Sequence, residues 1–87
     1  MKMVIVTLTY RRDGVEKNYD MEMPYNVPAR ILGSHICQTL ENYTGIPIRR
    51  TDTPAQLYCR RLNRVLNSGE TLEQAGIWNG DHMELRM

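Results

Sequence analysis

The sequence predicts an α+β fold: a mixed sheet of four to five strands packed on one main helix, with residues 1–87 forming a single domain. Three observations carry this. The N-terminal segment alternates apolar and polar residues on both sides of an Asp-Gly pair, the segment after Pro24 changes to a helical period, and the closing residues return to alternation. A chain of 87 residues has room for one core, and 41% hydrophobic with 24% charged residues is globular rather than disordered composition.

"KMVIVTLTY" is rich in β-branched residues. Val4, Val6 and Leu8 fall on one face, with Met3, Ile5, Thr7 and Thr9 on the other. "RRDG" is an Asp-Gly hairpin signal, and "VEKNYDMEMP" alternates again, setting Val15, Tyr19, Met21 and Met23 against Glu16, Asp20 and Glu22. Pro24 ends that strand because it cannot donate to a ladder. The next stretch spaces Val27, Ile31, Ile36, Leu40 and Tyr43 at roughly the helical period, predicting a helix over 27–43. Asn26 is the expected N-cap, Pro28 lies in the first turn, Gly45 is the left-handed C-cap, and Pro47 prevents resumption. Gly33 costs up to about 1 kcal/mol against Ala inside a helix unless it permits close packing.

After the polar connection "IPIRRTDTPA", "QLYCRRL" reads as a strand with Leu57 and Cys59 inward and Tyr58 and Arg60 outward. "NRVLNSG" is a bend or short strand. "TLEQAGI" is one helical turn planting Leu72 and Ile77 in the core, and "WNGD" is a turn in which Gly80 supplies positive φ. "HMELRM" closes the chain, with Met83, Leu85 and Met87 inward and His82, Glu84 and Arg86 outward. A helix between a hairpin and a later strand must cover one face of a shared sheet, and the simplest closure sets the last strand beside the first, in parallel, at the centre. That arrangement is a β-grasp.

At "GIPI", "VLNSGETLEQAGI" and "NGDHMELRM" the chain resembles ubiquitin and its relatives in element order and in these residues. Within that superfamily, "YDMEMPYNVPARILGSHICQTL" is similar to the strand-to-helix segment of the small YukD/EsaB-type proteins. Their closing plan of Leu, Ile, "GD" and a short strand is matched by Leu72, Ile77, Gly80-Asp81 and the final strand. The resemblance implies a cytosolic accessory component of the type VII (WXG100) secretion system of Gram-positive bacteria, with no catalytic residues to carry over. A ubiquitin-type modifier or sulfur carrier is the alternative, disfavoured because activation needs an unhindered Gly-Gly end and no Gly follows Gly80. A regulatory β-grasp subunit of an enzyme complex is the third reading.

Composition supports binding over chemistry. Net charge is +1, which gives no global field for nucleic acid or anionic membrane. Tyr58 with Arg60, Arg61 and Arg64 makes a small basic aromatic patch, but the balanced charge argues against nucleic acid. Of the 11 basic residues only Lys2 and Lys17 are Lys, and six Arg come as the pairs 11–12, 49–50 and 60–61. Arg suits bidentate and stacking contacts with a protein partner, although a solvated Arg-rich face is an equal alternative. No cofactor is expected. Cys37 and Cys59 read as core thiols of a reducing cytoplasm, and two His with two Cys make no metal set. No signal peptide or apolar run of about 20 residues appears, so membrane insertion is not expected.

The uncovered sheet face is the expected interface. Alternation places Tyr58, Arg60, His82, Glu84 and Arg86 there, with Arg61 expected beside them. An aromatic flanked by Arg is a common hot-spot composition. Trp78 at its turn is the second candidate, either exposed or covering the end of the core. His82 is expected simply to be exposed, and weak homodimerisation through an edge strand stays open.

Overall fold

The structure, a computed structural model, describes residues 2–12, 14–48 and 55–86. The strands β1 (Met3–Arg12) and β2 (Val15–Pro24) pair antiparallel from Met3↔Pro24 to Arg12↔Val15. Gly14 has φ +78°, the left-handed conformation a tight hairpin turn requires. Val4, Val6 and Leu8 are buried as their alternation predicts, and Met3 and Ile5 are exposed on the opposite face.

The helix α1 (Ala29–Thr44) starts two residues later than expected and is not capped by Asn26. Pro28 is the N-cap, with ψ 145° and no side-chain capping bond. The first free donors are satisfied from far along the chain: the Ala29 N–H donates to the Glu70 carbonyl at 2.8 Å and the Arg30 N–H to the Ser68 carbonyl at 3.0 Å. Its buried stripe is Ala29, Leu32, Gly33, Ile36, Cys37 and Leu40. Ile31 and Tyr43, expected on that stripe, are exposed; the helix is rotated toward its small residues. The reason is close approach, since a Cβ on Gly33 would stand 2.8 Å from the Ala55 carbonyl oxygen. At the other end Gly45 adopts φ +72° and its N–H donates to the Glu41 carbonyl, the expected left-handed cap.

The remaining elements are β3 (Gln56–Cys59), β4 (Arg64–Val65), the single turn α2 (Leu72–Ala75) and β5 (His82–Arg86). Thr71 and Gln74 form a reciprocal capping box on α2, which fixes the turn that buries Leu72 and Ile77. Fully burying side chains of this size contributes about 2 kcal/mol each. The sheet order is β2-β1-β5-β3-β4, with β5 parallel to β1 and antiparallel to β3. The last strand is therefore central, as the β-grasp reading requires. Met87, expected to point inward, lies outside the described residues. Neither Cys37 nor Cys59 is in a disulfide, and both are buried. Among the described residues no helix is long and apolar enough to cross a membrane.

Candidate functional site

On β3 and β5 inward residues alternate with outward ones. Leu57, Cys59, Met83 and Leu85 are buried, which leaves Tyr58, Glu84 and Arg86 on the face away from α1. The antiparallel register sets Tyr58 opposite Glu84 and Gln56 opposite Arg86. The Arg86 guanidinium stacks over the Tyr58 ring at 3.9 Å from its centroid, and the Tyr58 hydroxyl donates to Asn63 Oδ1 at 2.6 Å. Arg60 and Arg86 flank Glu84 at 3.4 Å and 3.9 Å. Tyr58, Arg60 and Arg86 thus form one cluster around a carboxylate, carrying an excess of positive charge. Its pairs are partly exposed, so each contributes little to stability.

Asn63 is the member that sequence reading missed. It is the one non-glycine with positive φ among the described residues, at +54°. An Asn in a short turn between strands is the available signal, because its side chain tolerates that conformation.

His82 is not simply exposed. Its Nε2 meets the hydroxyl of Thr9, which is 1% exposed and also donates to Asn18 Oδ1 at 2.7 Å. A Thr9 hydroxyl that donates to Asn18 accepts from His82, which then carries a hydrogen on Nε2. The parallel register, Thr7↔His82 and Thr9↔Glu84, brings these side chains together across β1 and β5. His82 is tied into the sheet beside the cluster.

Arg61 is held by partners of its own rather than by Tyr58, Glu84 or Arg86. It follows the end of β3, where strand alternation no longer directs side chains. Its Nε and Nη2 grip Asp81 at 2.9 Å and 3.0 Å, Nη2 donates to the Gly76 carbonyl at 2.6 Å, and the guanidinium stacks 3.8 Å from the centroid of Trp78. Asp81 is buried, accepts from the Trp78 N–H at 2.8 Å, and donates its own N–H to the Trp78 carbonyl. The Arg61 hydrogen bond holds the Asp81 carboxyl below the usual carboxylate range against the cost of burial, and the Trp78 N–H adds to that; the same contact pushes Arg61 upward. Trp78 itself is 63% exposed, with one ring face covered by Arg61. Trp78 and Met3 line the same shallow depression at the end of the sheet, and the Gly80 N–H donates to the Ile5 carbonyl there. Exposed Met3 and Ile5 therefore extend the open face toward Trp78.

Arg64, part of the basic patch read from sequence, pairs with Glu70 at 2.8 Å and lowers that carboxyl. Arg60, Arg61 and Arg64 each have a carboxylate partner, so the patch is locally neutralised.

No protein-family model matches the sequence, and no curated protein matches it. Solved structures do. The ubiquitin-like domain of the Mycobacterium tuberculosis type VII secretion system protein ECCD1 superposes with a TM-score of 0.76 at 17% identity, covering 100% of both chains. Caldiarchaeum subterraneum ubiquitin superposes at 0.70 and 20% identity over 99% of this chain and 94% of the other. A chain of the MycP5-free ESX-5 inner membrane complex matches at 0.70 and 17% identity, over 97% of this chain but 20% of that larger one. At these identities the likeness speaks for architecture: the chain adopts the ubiquitin-like β-grasp fold.

Proposed function

We propose that this protein is a cytoplasmic ubiquitin-like adaptor that acts by binding other proteins, without catalysis or conjugation, in a type VII secretion pathway. The observation that carries the binding role is the Tyr58–Arg86 stack flanked by Arg60 and Glu84 on the uncovered sheet face. A ring held flat by its own guanidinium and hydrogen-bonded at its hydroxyl is pre-organised, which reduces the ordering cost of association. The pathway is supported by the resemblance to the ECCD1 domain together with the YukD/EsaB-like residues of the strand-to-helix segment.

The test is affinity capture from the native host with wild-type, Tyr58→Ala and Arg86→Ala proteins, with folding checked by circular dichroism. Wild type should retain components of the secretion apparatus, and each substitution should weaken retention about tenfold or more, as at an interface hot spot. Undiminished capture by both variants would remove the open face from the proposal. Partners unrelated to secretion would remove the pathway.

A further inference from the structure

The strand β2 forms one margin of the sheet and is ten residues long. Its register fixes which backbone groups face outward. A two-residue hairpin turn makes Arg12↔Val15 a hydrogen-bonded pair, and the Tyr25 N–H donating to the Lys2 carbonyl at 2.9 Å keeps the same phase at the far end. The odd-numbered residues of β2 therefore direct their N–H and C=O groups to β1. Those of Glu16, Asn18, Asp20 and Glu22 point out of the sheet edge.

The side chains at those four positions lie on the open face. Arg11 offsets Glu16 at 3.2 Å, whereas among the described residues no ion pair involves Asp20 or Glu22. On the other face β2 and α1 leave a groove running either side of Tyr19. One stretch, of about 250 Å³, is walled by Val15, Tyr19, Leu40, Ile46 and Ile48, with Lys17 at the hairpin end. The other continues along Met21 and Tyr43, whose ring meets Tyr19 edge-on at 5.9 Å. Val15, Ile46 and Tyr43 are 53%, 49% and 77% exposed, so an apolar trough runs beside an edge of outward-facing backbone groups.

Charges on an edge strand protect it from pairing with other sheets. Protection does not require an exposed apolar trough beside the edge, so the trough needs its own account. A second copy of β2 is a poor occupant, because antiparallel pairing would set the carboxylates of one strand against those of the other, and facing like charges are destabilising. The alternation fits a different strand: cations toward Asp20 and Glu22, aliphatic side chains toward Tyr19 and Ile46.

We propose that the β2 edge and the β2–α1 groove bind an extended segment of a partner protein that alternates Arg or Lys with aliphatic residues and adds to the sheet as a further strand. The surface lies at the opposite side of the sheet from β3 and β4, so it is separate from the Tyr58 cluster and stands whether or not that cluster binds.

The isotope-labelled chain is titrated with a synthetic Arg-Val alternating peptide of about eight residues. Controls are a Glu-Val peptide of equal length and an Arg-Val peptide interrupted by a central Pro. The Arg-Val peptide should shift the amides of Glu16, Asn18, Asp20 and Glu22 and slow their exchange with deuterium. The Pro peptide should bind about tenfold more weakly or worse, and the Asp20→Lys/Glu22→Lys double variant should reverse the preference between Arg-Val and Glu-Val. Equal binding of the two charged peptides to wild type overturns the proposal, even where the double variant fails to fold. So do shifts centred on Tyr58 and Glu84. Protection of the β2 amides that rises with protein concentration alone also overturns it, by making the occupant a second copy.

Discussion

Among the described residues two Arg–aromatic stacks have nearly equal distances: Arg61 over Trp78 at 3.8 Å and Arg86 over Tyr58 at 3.9 Å. Their surroundings differ. Arg61 is clamped by both carboxylate oxygens of buried Asp81 and by the Gly76 carbonyl, and Asp81 also holds the backbone of the turn that carries Trp78. Arg86 has its ring and Glu84 at 3.9 Å. One stack is a fastening for the turn between the hook and the last strand. The other holds two exchangeable side chains on a free face. A stacking distance alone does not separate a structural contact from a recognition surface; the number and burial of the other partners does.

The largest effect expected from breaking this contrast is at Asp81. Asp81→Ala strands the Arg61 fork and leaves the Trp78 N–H without its acceptor, at a cost of about 2 kcal/mol. For a domain of this size that lowers the melting temperature by about 10 °C in a thermal scan. The same carboxyl should make stability depend on acid. Its native pKa lies below the unfolded value, so its contribution is complete above about pH 4 and lost as pH falls through the lowered native pKa. Asp81→Asn should flatten that part of the pH–melting curve, and an unchanged acid limb would show that another carboxylate governs it.

Arg61→Lys keeps the charge but loses the fork and the planar stack. It should lower the melting temperature less than Asp81→Ala and raise the solvent accessibility of Trp78, read as a red shift in fluorescence. A loss as large as that of Asp81→Ala would place the fastening in the stack rather than in the carboxylate. Arg86→Ala is the smallest: stability should stay within about 0.5 kcal/mol of wild type while partner capture falls. A large destabilisation there would erase the contrast between the two stacks.

What the sequence could reveal follows the range of each signal. Alternation in β1, Gly14, Gly45, Gly80 and the Leu72/Ile77 plugs depend on neighbours a few residues away, and each is where its local pattern puts it. The helix start was illegible because its capping carbonyls belong to Ser68 and Glu70, far along the chain. Its rotation is ambiguous in the sequence because Ile31 and Tyr43 offer large apolar surfaces as Leu32 and Leu40 do. Only the approach of Ala55 to Gly33 decides between the two faces. On the candidate surface, alternation assigned Tyr58, Glu84 and Arg86 to one face. It says nothing of Arg61's partners Asp81 and Trp78, one step past the strand end, nor of Thr9 and Asn18 beside His82, which depend on strand register.

The position of β5 between β1 and β3 has a consequence for how the chain is made. Until β5 arrives, the hairpin β2-β1 and the pair β3-β4 have no strand connecting them. On the ribosome, then, the N-terminal hairpin and α1 can emerge and form early contacts, but the sheet cannot close until Arg86 has cleared the exit tunnel. Until then the inner edges of β1 and β3 remain unsatisfied. Nascent-chain arrest at successive lengths should therefore register its folding force in one step, when β5 inserts beside β1.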